Sequence, residues 1–438
     1  MGFFCVYDPT TLGVKMMDMI IRNANLVDGK QGFDIGIQQT RIVALQERLA
    51  VSGAIEIDAT DCLVSPPFVD PHFHLDATLS LGRPRYNESG TLLEGIKLWG
   101  ELKPLLTVES IKKRAVEYCH LAVSQGLLAI RSHVDICDPQ LRAVDALLEV
   151  QQEMSPYIDI QLVAFPQDGF LRDSKAKKQL DIALQKGVSV VGGIPHFERT
   201  MEEGHESIRQ LCKIAAQKGL CVDMHCDESD DPMSRHVEVL AQQTIHYGLQ
   251  HRVTGSHLTS MHSMDNYYVS KLLPLMAEAK LHAIANPLIN ITLQGRHDTY
   301  PKRRGMTRVP ELLKAGVNVA FGHDCVMDPW YPLGNGDMLE VAHMGLHVAQ
   351  MTSKKGMRAC YQMITARPAK ILGLEDYGIQ VGGKADLVIL QAKDPIEAIR
   401  TKANRLAVIR NGKIIAKTPP KQTSIFIEGQ TITVDPRR

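Results

Sequence analysis

The sequence predicts an α/β protein built around a closed barrel of eight parallel strands, with a small β-domain formed by both ends of the chain. Two observations predict the barrel: eight apolar, strand-like segments follow one another, and segments with apolar residues at helical spacing separate them. A third observation predicts the β-domain, because short alternating strands with turn residues recur near both ends. We expect residues 66–374 to form the barrel, and residues 17–65 and 375–438 to form the β-domain.

The two ends of the chain have similar patterns of short alternating strands. The segments IIRNANLV and DIGIQQTRIVAL near the start resemble ADLVILQ and LAVIRNGKIIAK near the end. Asn411 and Gly412 interrupt the last segment and predict a type I′ hairpin, because both residues readily adopt positive φ angles. Residues 1–16 differ in character, so we expect a loose, disordered extension there or a start codon placed too early.

The eight predicted barrel strands are apolar segments that end in polar residues. They are residues 66–72, 127–135, 158–166, 188–196, 220–228, 252–259, 281–287 and 317–324. Several intervening helical segments end in glycine, as at Gly187 and Gly219. Near-continuous apolar strands indicate a parallel sheet buried on both faces, and eight repeats predict closure. An open doubly wound sheet is the alternative, but no Gly-x-Gly-x-x-Gly follows any strand.

The composition disfavours nucleic-acid and membrane partners. With 49 basic and 49 acidic residues the chain has no net charge to attract phosphate backbones. No uncharged apolar run approaches the roughly 20 residues that cross a bilayer, and no secretion signal begins the chain. Nine cysteines without a Cys-x-x-Cys pair are typical of a reduced protein, so we expect a cytoplasmic location.

Histidines at the predicted strand ends indicate a metal site. In PPFVDPHFHLD, residues 66–76, His72 and His74 lie two apart and so point the same way from one strand. Strand five ends with His225, and strand eight ends with His323 and Asp324. The active site of such a barrel lies at these carboxyl ends. Nitrogen and oxygen ligands without thiolate suit Zn(II) or Fe(II), with one position left for water.

The same strand ends carry candidate acid–base groups. A metal lowers the pKa of its bound water to about 7, and the resulting hydroxide attacks sp² carbon. Either Asp324 or Glu228 could take up the proton, while a histidine such as His257 at the end of strand six stabilises the developing charge.

Further strand-end residues are candidate substrate contacts. Gln167 offers a donor and an acceptor for a cyclic amide edge, and Trp330 could cover a flat ring. We interpret Cys226 as a packing residue. Four other polar residues at strand ends are expected to support the site or the fold: His133, Asp135, His196 and Glu198.

The sequence resembles the bacterial cytosine deaminases of the amidohydrolase superfamily. The matching motifs run in order from about residue 20 onward and are PPFVDPHFHLD, ESGTLLEGI, SHVD, FPQDG, GIPHFE, HCDE, Ser256-His257, ANPLINITLQGRHDTYPKRRG, FGHD and DPWYPLG. The resemblance implies a distorted (β/α)8, TIM-like barrel with a small flanking β-sandwich domain. It also implies one divalent metal ion, Fe(II) or Zn(II), and a homo-oligomer, commonly a hexamer.

The resemblance also implies roles for individual residues. The metal ligands would be His72, His74, His225 and Asp324. Glu228 would be the proton shuttle, and His257 would position or stabilise the hydroxide. Gln167 would bind the pyrimidine carbonyl and ring nitrogen, with Leu92 and Trp330 lining the pocket. Hydroxide would add to C4, Glu228 would protonate N3, and ammonia would leave, as in pyrimidine salvage.

One departure bears on the substrate. These deaminases typically have Gly-His-Asp-Asp after strand eight, whereas this chain has Cys325 in the last position. A less polar side chain there favours an apolar group at C5 of the base, so we expect 5-methylcytosine to be converted to thymine, alongside or instead of cytosine to uracil. The alternatives are a deaminase of another cyclic amidine such as isoguanine or creatinine, a cyclic amide hydrolase, and a non-catalytic structural oligomer.

Overall fold

The computed structural model describes residues 16–437, which divide into two units. Of the described residues, the first contains residues 16–66, Asp376–Ala398 and residues 404–437. The second contains Pro67–Glu375 and Ile399–Ala403. Apart from Met16, the predicted N-terminal extension lies outside the described residues.

The first unit begins with five strands. They are β1 (Met17–Leu26), β2 (Phe33–Gln38), β3 (Arg41–Gln46), β4 (Gly53–Asp58) and β5 (Leu63–Ser65). Strand β1 pairs antiparallel with β2 and parallel with both β4 and β5, because its two halves have different neighbours. Its apolar side chains lie in a buried core with residues such as Ile35 and Leu387.

Eight parallel strands form the barrel of the second unit. They are β6 (Phe68–Phe73), β7 (Leu127–Asp135), β8 (Asp159–Phe165), β9 (Val190–Gly193), β10 (Cys221–Cys226), β11 (Val253–His257), β12 (His282–Ala285) and β13 (Asn318–Phe321). All eight predicted barrel strands are confirmed, and their ends differ from the predicted ones by no more than three residues. Most of their side chains are buried, which explains the continuous apolar runs in the sequence.

Twelve helices belong to the second unit. They are α1 (Leu92–Leu102), α2 (Val108–Ser124), α3 (Arg142–Met154), α4 (Ala176–Lys186), α5 (Met201–Lys218), α6 (His236–His246), α7 (Asn266–Glu278), α8 (Pro287–Leu293), α9 (Val309–Lys314), α10 (Met338–Val348), α11 (Lys354–Gln362) and α12 (Ala366–Leu372). Gly187 and Gly219 end α4 and α5 in the left-handed conformation, as their positions in the sequence predict. None of the helices formed by residues 16–437 has the length and apolar character of a membrane-crossing segment.

The barrel closes between its first and last strands. The N–H of His74 donates to the carbonyl of Asp324 at 3.2 Å, and the N–H of Asp324 donates to the carbonyl of His72 at 2.9 Å. Gly322 makes this approach possible, since a Cβ there would lie 2.9 Å from the Cβ of His72 and would overlap the side chain of Asn286. The closing bonds therefore fix the backbone of three predicted metal ligands relative to one another.

The remaining strands return to the first unit. They are β14 (Leu387–Leu390), β15 (Arg405–Arg410), β16 (Lys413–Lys417), β17 (Thr423–Ile427) and β18 (Gln430–Val434), and helix α13 (Pro395–Thr401) follows β14. Strand β14 pairs with β5, so both chain ends share one sheet, while β17 and β18 form a separate hairpin. Between β15 and β16, Asn411 and Gly412 have φ angles of 50° and 73°, which confirms the predicted hairpin.

Candidate active site

The predicted metal ligands converge at the carboxyl ends of three strands. His72 lies within β6, His74 directly follows it, and His225 lies near the end of β10. Asp324 follows β13 with a φ angle of 72°. All four side chains are buried. Because parallel strands present their carboxyl ends at the same rim, residues far apart in the sequence meet there.

The ligand atoms have the spacing of a coordination shell. His74 Nε2 lies 3.1 Å from His225 Nε2 and 3.4 Å from Asp324 Oδ1. His72 Nε2 lies 3.6 Å from the same oxygen. Ligand bonds of about 2.1 Å in a tetrahedral site place ligand atoms about 3.4 Å apart. These separations fit one divalent ion.

The protonation chemistry of the cluster also fits a cation. Burial lowers the pKa of His74 to about 3, and lowers that of His72 and His225 well below the ordinary value, helped by neighbouring histidines. Neutral imidazoles are the form that binds a metal. Within the part of the chain that the structure describes, both ring nitrogens of His72 and Nδ1 of His225 lack a hydrogen-bond partner. Burial and the nearby Glu228 raise the pKa of Asp324 well above its usual range, so a bound cation is what favours its ionised form.

The two oxygens of Asp324 face different groups. Oδ1 faces His72 and His74, whereas Oδ2 accepts a hydrogen bond from Asn286 Nδ2 at 3.2 Å and lies 3.6 Å from His257 Nε2. The carboxylate can therefore hold a metal with one oxygen while the other contacts polar groups beside it.

Asn290 determines the tautomer of neutral His257. The backbone N–H of Asn286 donates to Asn290 Oδ1 at 3.1 Å, so the side-chain nitrogen of Asn290 is the donor at its other end. That nitrogen lies 3.0 Å from His257 Nδ1, which must accept. The proton of the neutral ring is then on Nε2, the atom facing Asp324. Sequence reasoning assigned no role to Asn286 or Asn290, although both polar residues interrupt the apolar start of α8.

Glu228 is buried beside His257, with 3.5 Å between its Oε1 and His257 Nδ1. Burial raises the pKa of Glu228 to about 8. The preceding Asp227 holds this segment in place, because it accepts hydrogen bonds from the backbone N–H groups of His236 and Val237 at the start of α6. A carboxyl group with a pKa near neutrality can both accept and donate a proton at physiological pH.

The site opens into a cavity of about 610 Å³. Nine predicted site residues line it, namely His74, Leu92, Gln167, His225, Glu228, His257, Asp324, Cys325 and Trp330. His72 is fully buried behind this lining. The Cys325 thiol donates to Asp324 Oδ1 at 3.6 Å, and burial together with nearby carboxylates raises its pKa well above the usual value. Cys325 is therefore a neutral group within the cavity.

Trp330 is held against helix α1. A Cβ at Gly95 would overlap the indole ring, so this helix position requires glycine. The Trp330 ring centroid lies 6.4 Å from that of His74, and its buried Nε1 has no hydrogen-bond partner among residues 16–437. The indole thus presents an apolar face and a free donor near His74, one of the predicted metal ligands.

The four residues expected in supporting roles differ in position. Asp135 accepts a hydrogen bond from Trp99 Nε1 at 2.7 Å, and Glu198 accepts from the backbone of Phe170 at 2.7 Å. His196 lines the cavity. His133 lies beside the predicted ligands, because one of its ring nitrogens lies within 4.8 Å of ligand atoms of both His72 and His225.

Comparison with known proteins identifies related chains. A family model described as the amidohydrolase family matches residues 56–416. The N-isopropylammelide isopropyl amidohydrolase of Pseudomonas sp. (strain ADP) is 33% identical over 414 residues, which cover 92% of this chain and 98% of that protein. The pterin deaminase of Rhizobium rhizogenes is 29% identical over 368 residues, covering 83% of each chain.

A crystal structure gives a closer match. The 5-methylcytosine deaminase from Klebsiella pneumoniae, liganded with 5-fluorocytosine, superimposes with a TM-score of 0.90 at 43% sequence identity. The match covers 92% of this chain and 98% of that one. The resemblance found in the sequence motifs is therefore confirmed over most of the chain.

Proposed function

The chain belongs to the amidohydrolase family and hydrolyses C–N bonds in cyclic amidines, and on that premise we propose that its substrate is a free pyrimidine base, with 5-methylcytosine preferred to cytosine. The reaction consumes water and releases ammonia, giving thymine from 5-methylcytosine and uracil from cytosine. The observation that carries the choice of base is the neutral, buried thiol of Cys325 in a cavity that also contains Gln167 and Glu228.

The proposed metal ligands are His72, His74, His225 and Asp324. Their short separations and their burial support this assignment, as do the ring nitrogens of His72 and Nδ1 of His225, which have no hydrogen-bond partner among residues 16–437. When bound, a divalent ion lowers the pKa of the attacking water to about 7. The chain itself holds the three imidazoles neutral and orients Asp324 through the backbone bonds that close the barrel.

Glu228 carries the proton in this proposal. It takes a proton from the attacking water and delivers it to N3 of the base, which makes C4 more electrophilic. The remaining proton of the added O–H group then passes to the amino group, the C4–N bond breaks, and ammonia leaves as the C4 carbonyl forms. A pKa raised to about 8 supports the role, since near neutral pH the carboxyl group can both take up and release a proton. Its position beside His257 keeps it within the polar part of the cavity.

His257 is proposed to stabilise the negative charge that develops on the oxygen added at C4, and Asp324, one of the proposed metal ligands, faces its ring. The tautomer set by Asn290 directs the Nε2–H of His257 toward Asp324, where water adds. Asn286 supports the same carboxylate through its hydrogen bond to Oδ2. These fixed donors need no rearrangement during the reaction.

The base is held by polar and apolar walls. Gln167 can donate to and accept from the carbonyl and ring-nitrogen edge of a pyrimidine, and Trp330 and Leu92 provide apolar surface for the ring. The Cys325 thiol is proposed to face C5 of the base. A methyl group at C5 would displace water from this position, and removing water from a neutral thiol costs less free energy than removing it from a carboxylate.

A second candidate is release of an alkylamine from an N-substituted ring. The 33% identity to a protein named for removing an isopropyl amine and the cavity of about 610 Å³ favour it. The same residues would act, and an alkylamine would leave in place of ammonia.

The remaining parts of the proposed function concern the identity of the metal, the oligomeric state, the location and the metabolic role. The nitrogen and oxygen ligand set suits Fe(II) or Zn(II). A homo-oligomer, hexameric by family resemblance, a cytoplasmic location and a role in pyrimidine salvage complete the proposed function.

The proposal is tested by metal analysis combined with a substrate panel. We expect one divalent ion per chain, and a kcat/KM for 5-methylcytosine above those for cytosine, isoguanine, creatinine and an N-alkylated triazine. Ammonia release without ring opening distinguishes deamination from cyclic amide hydrolysis. A strong preference for unsubstituted cytosine would overturn the proposed base.

A further inference from the structure

We propose that Lys103 is a positioning residue for substrate recognition, and that it holds Gln167 in place by anchoring the neighbouring Asp168. The inference rests on the proposed function, because Gln167 is the residue proposed to contact the carbonyl and ring-nitrogen edge of the base. Lys103 directly follows helix α1. It does not itself line the cavity, so it would act on the substrate only through other residues.

Lys103 bridges two carboxylates that come from neighbouring barrel strands. Its Nζ lies 2.8 Å from Asp135 Oδ2, at the end of β7, and 2.8 Å from Asp168 Oδ2, after the end of β8. The Lys103 side chain is only 14% exposed, so its charge is balanced by these two partners more than by water. Burial alone would lower the pKa of Lys103, but the charges of Asp135 and Asp168 outweigh burial and raise that pKa. The bridge is therefore ionic at neutral pH.

Asp168 is the residue through which the bridge reaches Gln167. The Gln167 side chain is buried and lines the cavity, and Asp168 follows it directly in a tight turn. In this turn the N–H of Gln167 donates to the carbonyl of Phe165 at 2.9 Å, and the N–H of Asp168 donates to Cys137 Sγ at 3.4 Å. Adjacent residues share a rigid peptide plane, so a shift of Asp168 also moves Gln167.

A second carboxylate holds the far end of the same loop. Glu198 accepts hydrogen bonds of 2.7 to 3.2 Å from the backbone N–H groups of residues 170–172. These bonds hold residues 170–172, whereas the ionic bridge to Lys103 is made by the residue next to Gln167. The two anchors therefore act on different parts of the loop, and their effects can be measured separately.

Asp135 connects the bridge to another wall of the cavity. Trp99 Nε1 donates to Asp135 Oδ2 at 2.7 Å, and the Trp99 ring centroid lies 6.0 Å from that of Trp330. Trp99 precedes Lys103 by four residues, so both side chains extend from one face of the helix. Replacing Lys103 or Asp135 would consequently disturb both walls. Asp168 is the better position to change, because its loss breaks only the contact to the Gln167 loop.

The test compares the wild-type enzyme with Asp168→Ala. We expect KM for the preferred base to rise about 2- to 10-fold, the range that one misplaced neutral hydrogen bond gives, with little change in kcat or metal content. Asp145→Ala is the matched control. Asp145 pairs with Lys186 at 2.6 Å and is 40% exposed, against 45% for Asp168, but it joins α3 to α4 outside the cavity lining. That variant should leave KM unchanged.

A double-mutant cycle shows whether Asp168 acts through Gln167. When Gln167 is already replaced by alanine, the further change Asp168→Ala should alter KM little, because the side chain that it positions is gone. A general loss of packing would instead raise KM by the same factor in both backgrounds. Additive effects in the cycle, or a wild-type KM in Asp168→Ala alone, would overturn the proposal.

Hydrogen exchange measures the anchoring without any substrate. In Asp168→Ala, the backbone amides of residues 167–169 should exchange faster, after correction for the intrinsic rate of alanine. The amides of residues 170–172 should keep their rates, because Glu198 still holds them. Unchanged exchange at residues 167–169 would overturn the role of Lys103 whichever molecule the enzyme converts. Absence of pyrimidine turnover in the wild type would overturn the proposed function and leave this measurement unaffected.

Discussion

The Nε2 atoms of His74 and His225 lie 3.1 Å apart, although 151 positions separate the two residues in the sequence. Burial keeps both rings neutral, so they do not repel each other as cations. At this distance two imidazole nitrogens either share a proton or bind a common cation. The nearby Asp324 Oδ1, 3.4 Å from His74 Nε2, supplies the negative charge that favours the cation.

His225→Ala is expected to lower the metal content from one ion per chain to a small fraction, and to abolish deamination. The substitution removes one nitrogen from a buried ligand set, and the remaining ligands hold the ion less tightly. Elemental analysis after dialysis measures the effect. His347→Ala, an exposed histidine on α10, is the control and should retain the ion. Full metal content in His225→Ala would contradict the ligand assignment.

Glu228→Gln is expected to lower kcat by about 10²- to 10⁴-fold, the usual contribution of a positioned acid–base group, with a smaller change in KM. The amide keeps the size of the side chain but cannot transfer the proton. Metal content should not change, because Glu228 is not one of the proposed ligands and belongs to neither cluster of residues that could hold an ion. Steady-state ammonia release measures kcat, with the exposed Glu278→Gln as control. A near-normal kcat in Glu228→Gln would exclude the proton-shuttle role.

Asn290→Ala is expected to lower kcat by about 10- to 100-fold, as is common for residues that orient a functional side chain. Without the donor to His257 Nδ1, the ring can adopt either tautomer and no longer directs Nε2–H toward Asp324. The metal content and the thermal stability should change little. Asn318→Ala removes a similar Asn–His hydrogen bond to His282 and should leave kcat unchanged. Equal loss of activity in the two variants would indicate a general packing effect.

Sequence alone predicts the barrel because buried parallel strands leave continuous apolar runs, and because His74 and His225 directly mark two of the strand ends. It predicts Glu228 and Cys325 through their neighbours in motifs. It does not predict the contact of Asn290 with His257, since this depends on which residues of neighbouring strands and loops come together. Two side chains that meet across strands or loops can be separated by any number of residues along the chain. The separate β17–β18 hairpin lacks a buried face that would produce a clear apolar alternation.

Gly95→Ala is expected to destabilise the protein by about 1 to 3 kcal/mol, as overpacking of a buried contact does, and to raise KM. The added Cβ would overlap the indole of Trp330 and move a wall of the cavity. Gly100→Ala is a matched control in the same helix, because no atom lies within 4 Å of its added Cβ. That variant should gain about 0.5 to 1 kcal/mol, the usual advantage of alanine in a helix. Thermal unfolding compares the two; equal stability would contradict the packing of Trp330 on α1.

Cys325→Asp is expected to reduce kcat/KM for 5-methylcytosine about 10- to 200-fold more than for cytosine, the range that one methyl group determines in a binding pocket. The new carboxylate would face the space proposed for the C5 methyl group, and it would lie beside Asp324, which already accepts from the thiol. The larger polar group therefore disfavours an apolar substituent while unsubstituted cytosine still fits. Competition between the two bases in one reaction measures the ratio directly. Cys325→Ala is the control, because a small neutral side chain should keep the preference for the methylated base even if both rates fall. Equal losses for both bases in Cys325→Asp would show that the change acts on the metal site and not on the C5 position.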